Sequence, residues 1–328
     1  MDRTVIYSLI YALAAAGGRE KALFGPHASR AAEAFGRSAP GEAFPELWFE
    51  LPLSGDPWFD LHTLTAAGDL PAGALPAADA CGGYPDVFRW FSSAEDARQL
   101  ALSWDLNNGG EPAAAIQLLL SRPNLQTACD FMQAAGKPDA APAYRAFLRN
   151  TPPEWFACYT GIFPSRPGHF LRVECIPTRK LQQAYAQDPS LLARHLGRLG
   201  LAQAEESILP WCRMLASAPF QLEFQFDVRE DGSPGATFSA SLRFAMVEDQ
   251  SGYLPFRVNG PAGSLMEEIE RQGLADGRWR LLEGTAFSQK LSFRGESCLL
   301  YCAPVFVKLR WREGRPLDAK AYLIAGAQ

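Results

Sequence analysis

The C-terminal part of the chain carries basic and hydroxyl side chains at every second position. Lys308 and Arg310 alternate with apolar residues in one segment, and Lys320 and Tyr322 do the same in the next. Successive side chains of a β-strand point to opposite faces, so this spacing predicts two strands whose polar groups share one face. Several fixed cations beside a hydroxyl suit the binding of an anion that has many oxygens, such as a phosphorylated ligand.

A predicted turn at residues 313–315 joins the two segments into an antiparallel hairpin. With this turn, three cross-strand pairs form: Lys308 with Lys320, Leu309 with Ala319, and Phe306 with Tyr322. The face behind the cations is apolar throughout: Val305, Val307, Leu309, Trp311, Leu317, Ala319, Ala321 and Leu323. An apolar face must be covered by other elements, so the hairpin belongs to a larger sheet with a buried core.

The same alternation recurs four times earlier in the chain, around turns near residues 55, 109, 166 and 232. The predicted hairpins therefore cover residues 47–65, 100–119, 156–176, 221–244 and 304–324. Their polar faces carry these residues: Trp48, Glu50, Asp60 and His62 in the first; Thr160, Arg172 and Glu174 in the third; Glu223, Gln225, Asp227 and Arg243 in the fourth. The second arm of the second hairpin fits a strand or a helix equally well.

Helical segments separate the hairpins. We predict helices over 124–135, 139–148, 190–196, 202–215 and 264–272, with Asp188 capping the third and a capping box from Ser264 to Glu267 opening the last. The first 18 residues fit an amphipathic helix better than a signal peptide.

These elements predict an α+β protein with one domain, residues 1–328, built from five helix–hairpin units. We expect ten antiparallel strands to close into a barrel, because closure leaves no exposed edge, and the helices outside to cover the apolar faces. A sheet that stays open, with its polar face in solvent, is the alternative.

Composition argues against several classes of function. A hydrophobic fraction of 48% supports a large core, and a net charge of −5 disfavours a nucleic-acid partner, which requires a basic surface. No apolar run is long enough to span a membrane, and seven cysteines without a C-x-x-C pair fit reduced thiols in a cytoplasmic protein. Ligand-spaced histidines and the common nucleotide-binding and hydrolase motifs do not occur, so no metal site is predicted.

Five helix–hairpin units around a polar lumen resemble the ABBA-type aromatic prenyltransferases, and Lys320-Ala321-Tyr322 matches the Lys-x-Tyr pattern with which that family holds a diphosphate. The resemblance implies a small-molecule ligand, an allylic diphosphate bound inside the barrel, and transfer of its prenyl group to an aromatic acceptor. It adds four cations to the diphosphate site: Arg172, Arg243, Lys308 and Arg310. It further implies that Glu50 orients the acceptor. No cofactor is implied, and a requirement for Mg²⁺ stays open.

Two physical arguments extend the resemblance to further residues. Aromatic rings shield a carbocation, and Trp48, Phe306 and Tyr322 lie on the polar faces. A carboxylate or imidazole must accept the proton that the acceptor loses, and the candidates are Glu50, Asp60 and His62.

Carboxylates also lie on the polar faces: Asp60, Asp105, Glu174, Glu223, Asp227 and Asp318. They repel a diphosphate unless they pair with the cations. The alternative function is therefore a non-catalytic protein that binds a small molecule or peptide, with Glu50 and Arg172 as structural ion pairs or exposed charges and His62 as a surface or packing residue. The predicted cations decide between the alternatives, because an anion site requires them to converge on one pocket.

Overall fold

The computed structural model describes residues 11–12, 14–25, 46–66, 84–104, 114–163, 171–201, 205–245, 254–293 and 296–327. The predicted turns near residues 109 and 166, Asp105 and most of the predicted N-terminal helix lie outside these residues.

Eleven strands form within the described residues, all joined by antiparallel pairing. They are β1 (Glu46–Pro52), β2 (Asp60–Ala66), β3 (Ala97–Trp104), β4 (Ala115–Leu120), β5 (Trp155–Ile162), β6 (Leu171–Pro177), β7 (Gln221–Val228), β8 (Pro234–Arg243), β9 (Phe287–Phe293), β10 (Glu296–Arg312) and β11 (Arg315–Ala327). The second arm of the second hairpin, left open by the sequence, is the strand β4.

Ten of these strands close into a barrel. Strands β1 to β8 pair in chain order, β8 pairs with β10, β10 with β11, and β11 returns to β1. Each of the five predicted hairpins forms, and the predicted fold class is confirmed. The additional strand β9, which the sequence did not reveal, pairs with the first half of β10, ahead of the part that pairs with β8.

Seven α-helices lie in the described residues, before and between the hairpins. They are α1 (Pro85–Phe91), α2 (Leu125–Ala134), α3 (Ala140–Asn150), α4 (Arg179–Gln187), α5 (Pro189–Leu196), α6 (Glu205–Ser217) and α7 (Pro261–Arg271). Asp188 caps α5 as predicted, since its carboxylate accepts from Ser190 N at 3.1 Å. The prediction of a capping box at Ser264 is wrong, because α7 begins at Pro261 with Gly260 as its N-cap. No helix in the described part of the chain could cross a membrane.

The main core lies between the helices and the outer face of the barrel. Phe147 of α3 packs on Phe226 of β7, with ring centroids 5.4 Å apart, and Trp211 of α6 packs on Trp311 of β10 at 6.0 Å. The period of two along each strand sends one set of side chains into this core and the other into the barrel.

Two irregularities move residues away from the faces predicted for them. A bulge at Cys158 pairs Thr160 with Val173 and Tyr159 with Glu174, so Tyr159 faces the barrel interior and Thr160 does not. The prediction had the reverse, because a shift of one residue exchanges the two faces of a strand. A second bulge leaves Leu317 outside the pairing of β10 and β11 and 40% exposed, although the sequence placed it on the buried face.

A third irregularity, between Pro304 and Phe306, affects Val305. The sequence assigned Val305 to the apolar face that the helices cover. It instead packs in a small separate cluster with Tyr322 and Ile324, which line the barrel interior.

Candidate functional site

The polar faces of the hairpins surround one lumen, a cavity of about 880 Å³. Nine of the ten residues predicted for the site line it: Trp48, Glu50, His62, Arg172, Arg243, Lys308, Arg310, Lys320 and Tyr322. The tenth, Asp60, is buried opposite Glu50 in the pairing of β1 with β2, outside the cavity lining. The polar faces therefore meet inside a barrel rather than lying on an open sheet in solvent.

Glu50 on β1 is the centre of a network that joins three strands. Its Oε1 accepts from Lys320 Nζ and its Oε2 from the Tyr322 hydroxyl, both on β11, while His62 Nε2 on β2 lies 3.3 Å from Oε2. These side chains meet because β1 pairs with β2 on one side and with β11 on the other. Burial alone would raise the pKa of Glu50, but the charges of Lys320 and Lys308 outweigh it and hold the pKa well below its usual range.

Lys308 on β10 stands opposite Lys320 and extends the network across the lumen. Its Nζ donates to the Tyr322 hydroxyl and, at 3.2 Å, to Oε1 of Gln225 on β7. Lys320 has a carboxylate partner in Glu50, whereas Lys308 forms no ion pair with the described carboxylates. Burial lowers the pKa of Lys308 to about 8, since it penalises the charged form more than the nearby Glu50 favours it.

His62 is oriented by two residues that sequence reasoning missed, Ser103 and Gln117. Ser103 Oγ lies 2.5 Å from His62 Nδ1 and accepts from Gln117 Nε2. An ionised Glu50 only accepts hydrogen bonds, so His62 Nε2 donates to it while Nδ1 of the ring faces Ser103 Oγ. The alternation along β3 and β4 could have predicted that both residues face the lumen, because each alternates with buried apolar neighbours.

Three arginines in the lumen are paired with carboxylates. Arg310 forms two bonds with Asp318, the Nε–Oδ1 distance being 2.5 Å; Arg172 Nε donates to Asp227 Oδ1 at 2.7 Å; Arg243 Nη1 lies 3.8 Å from Glu223 Oε1. Burial acts to lower the pKa of Arg172 and Arg310, but the carboxylates outweigh it and both pKa values are raised. The predicted cations therefore converge on one cavity, and carboxylates that would repel an anion are engaged with them.

Glu223 and Glu174 form a carboxyl pair on the neighbouring strands β7 and β6. Both side chains line the cavity. Burial, reinforced by the charge of Glu174, raises the pKa of Glu223 well above its usual range. Glu174 also accepts from Gln225 Nε2 at 3.1 Å. The raised pKa means that Glu223 keeps its proton to a higher pH than an exposed glutamate does.

Apolar and aromatic residues line the section of the lumen beside this network: Trp48, Leu64, Leu119, Phe156, Ile176, Phe306 and Ile324. The rings of Trp48 and Phe306 lie 5.4 Å apart, and the guanidinium carbon of Arg243 lies 5.3 Å from the Phe306 centroid. Trp48 pairs with Ile324 one step along the face from Glu50. A charged section that adjoins an apolar one suits a ligand with an anionic head and an apolar tail.

Metal binding by protein side chains alone has no candidate here. Within the described ranges, no three His, Cys, Asp or Glu side chains are grouped so that they could hold a metal ion.

Solved structures match this chain over nearly its whole length, although no protein-family profile and no curated protein sequence matches it. A 6-dimethylallyltryptophan synthase from Micromonospora olivasterospora, in complex with DMASPP and Trp, has a TM-score of 0.51 and 13% identity over 98% of this chain and 96% of that one. The prenyltransferase PriB, in a ternary complex with L-tryptophan and dimethylallyl thiolodiphosphate, has a TM-score of 0.51 and 14% identity over 98% and 95%. The chain has the fold of the ABBA-type aromatic prenyltransferases.

A third structure of this prenyltransferase fold, the 5-dimethylallyltryptophan synthase from Streptomyces coelicolor, has a TM-score of 0.50 and 12% identity over 98% and 94% of the two chains. The resemblance inferred from five hairpins and one Lys-x-Tyr pair is thereby confirmed at the level of the fold. At such identities the likeness concerns the fold, and the roles of individual lumen residues stay predictions.

Proposed function

We propose that the barrel binds an allylic diphosphate in its lumen and transfers the prenyl group to an aromatic acceptor. The observation that carries this proposal is the convergence of five cations on one cavity: Arg172, Arg243, Lys308, Arg310 and Lys320. Strands fix these side chains before a ligand arrives, and preorganised cations stabilise the charge that develops on a departing diphosphate.

The division of the lumen supports a specific orientation of the donor. The diphosphate lies among Lys308, Lys320 and Tyr322, and the prenyl chain extends along the apolar section. Cleavage of the allylic C–O bond leaves positive charge on the prenyl group, and the faces of Trp48 and Phe306 stabilise it by cation–π contact. A new C–C bond to the acceptor ring then forms.

The acceptor loses one proton when the new bond forms, and this proton requires a base. Glu50 and His62 line the cavity beside the proposed diphosphate position, and Asp60 is buried next to Glu50. These three remain the candidates for the base. Two of the similar solved structures contain tryptophan beside a donor analogue, so aromatic amino acids are the first acceptors to test.

Binding of an anionic small molecule without turnover is the second candidate. It is favoured by the ion pairs of the lumen, since Arg172, Arg310 and Lys320 each already have a carboxylate partner. Such pairs reduce the positive potential that a diphosphate meets.

A titration and an assay separate the two candidates. Thermal unfolding is followed with pyrophosphate and dimethylallyl diphosphate, with and without Mg²⁺, and product formation is then measured with tryptophan and other aromatic acceptors. Binding stabilises the native state by mass action, so we expect a dose-dependent rise of the melting temperature that Lys320→Ala strongly reduces. Prenylated product supports the transferase; binding without product supports the second candidate. No shift at millimolar ligand contradicts both.

A further inference from the structure

The hydrogens of the Lys-x-Tyr pair are directed at the chain's own carboxylate. The Tyr322 hydroxyl has a single hydrogen, which it donates to Glu50 Oε2, and its oxygen accepts from Lys308. Tyr322 therefore has no hydrogen left for a phosphoryl oxygen while this contact persists.

Lys320 is similarly engaged. Its Nζ donates to Glu50 Oε1 and lies 5.0 Å from the centroid of the Trp58 ring, and only 7% of the residue is exposed. One of the three ammonium hydrogens is thus donated to the carboxylate, and any anion in the lumen meets Lys320 beside the charge of Glu50.

A carboxylate and a phosphoryl group at the same two donors repel each other, and burial strengthens the repulsion. We propose that Glu50 is a resident anion of the lumen, which competes with the phosphoryl oxygens of the ligand for Lys320 and Tyr322. Glu50 thereby determines the anion specificity of the site. An anion binds only if its contacts with Lys320 and Tyr322 are stronger than the Glu50 contacts that it displaces. This inference rests on the proposed function, which locates the diphosphate at these donors.

The competition also distinguishes Glu50 from the other lumen carboxylates. Asp227 bonds to Arg172, whose guanidinium has five N–H hydrogens, so that group can bind a carboxylate and a phosphoryl oxygen together. A carboxylate that leaves hydrogens free on its partner need not move. Asp227→Asn therefore serves as a control with the same change in charge.

The test measures pyrophosphate binding by isothermal titration calorimetry at one pH and ionic strength for wild type, Glu50→Gln and Asp227→Asn. We expect Glu50→Gln to bind pyrophosphate ~10-fold more tightly and to accept sulfate better, because a competing charge is lost. Asp227→Asn should change the affinity by less than ~3-fold.

Two different failures remain distinguishable. If wild type binds pyrophosphate and Glu50→Gln binds it equally or more weakly, the resident-anion inference is overturned while the anion site stands. If neither protein binds it, both the proposed function and the inference fall. Equal tightening by Asp227→Asn overturns the inference as well, because total charge then explains the effect.

Glu50→Gln leaves Lys320 buried without a carboxylate and can impair folding. A second comparison uses the double variant Glu50→Gln with Lys320→Met, which avoids this difficulty because the ammonium is removed together with its carboxylate. Adding Glu50→Gln to Lys320→Met should tighten pyrophosphate binding relative to Lys320→Met alone, since Tyr322 regains its hydrogen. An unchanged or weaker affinity overturns the inference.

Discussion

Lys308 and Lys320 are directly opposed on the neighbouring strands β10 and β11, so two buried ammonium groups face the same lumen. Like charges that stand opposite each other on paired strands destabilise a sheet. Glu50 offsets part of this cost through its contact with Lys320. The proposed anionic ligand between the strands would offset more of it.

The low pKa of Lys308 predicts how diphosphate binding depends on pH. Because that pKa is about 8, the ammonium is charged below this pH and neutral above it. Half of the lysine is charged at a pH equal to its pKa and about a tenth one unit above it, so the affinity of wild type should fall ~5-fold between pH 8 and pH 9. Calorimetric titration of pyrophosphate from pH 6.5 to 9.5 measures this fall.

Lys308→Arg is the matched control for this pH dependence, since arginine keeps its charge throughout the range. Ionisation of pyrophosphate affects both proteins alike. The ratio of the two affinities therefore reports Lys308. Parallel curves for wild type and variant would contradict the assignment.

Glu50→Gln is expected to destabilise the protein at neutral pH. The pKa of Glu50 is lowered in the folded state, so its contribution to stability is present above the unfolded pKa and is lost as pH falls through the folded pKa. Removing one partner of a buried ion pair costs on the order of 3 kcal/mol. Urea unfolding at pH 7 measures the loss, and it should shrink towards acidic pH.

Glu223→Gln, in contrast to Glu50→Gln, should stabilise the protein. The pKa of Glu223 is raised, so the folded state retains a proton that the unfolded state releases, and stability falls as pH rises between the two pKa values. Glutamine resembles the protonated acid and removes this fall. We expect the variant to gain stability relative to wild type from pH 5 to pH 8 in urea unfolding. A profile that stays parallel to wild type would show that Glu223 is ionised in the folded state.

Trp48→Ala should reduce turnover more than diphosphate binding. Trp48 lies in the apolar section, next to Phe306 and away from the lysines, so its loss removes stabilisation of the carbocation and leaves the anion contacts intact. A desolvated cation–π contact contributes about 2 kcal/mol, which corresponds to a fall in kcat of ~30-fold. Trp48→Phe keeps an aromatic face and should retain most of the rate. Equal losses in binding and kcat would argue against this role.

Gly232, in the turn between β7 and β8, should not tolerate a side chain. Its φ is +83°, and a Cβ there would lie 2.4 Å from Ala146 Cβ and 2.9 Å from the Ala143 carbonyl oxygen of α3. Steric overlap adds to backbone strain, so Gly232→Ala should cost about 3 kcal/mol in urea unfolding. Gly55 has φ +72° with no atom within 4 Å of such a Cβ, and Gly55→Ala should cost only about 1 kcal/mol. Similar losses of stability for Gly232→Ala and Gly55→Ala would show that the positive φ alone, and not the overlap with α3, destabilises the variant.

Local alternation was sufficient to predict the hairpins and most residues of the lumen. The cross-strand pairs Lys308–Lys320, Leu309–Ala319 and Phe306–Tyr322 were each predicted and are present. Prediction failed at the bulges, where one inserted residue exchanges the faces. Thr160 was assigned to the wrong face for this reason. Bulges accompany the curvature of the closed barrel, and no fixed residue pattern in the sequence marks their positions.

The sequence by itself determined which side chains share a face of each strand, because a period of two is a property of the local backbone. It thereby fixed the polar lining, the apolar outer face and the single Lys-x-Tyr pair. Only the tertiary structure decided which polar groups meet. Glu50 and Lys320 are 270 residues apart and touch because β11 closes the barrel against β1. That contact depends on the summed register and tilt of ten strands, which no short stretch of the sequence contains.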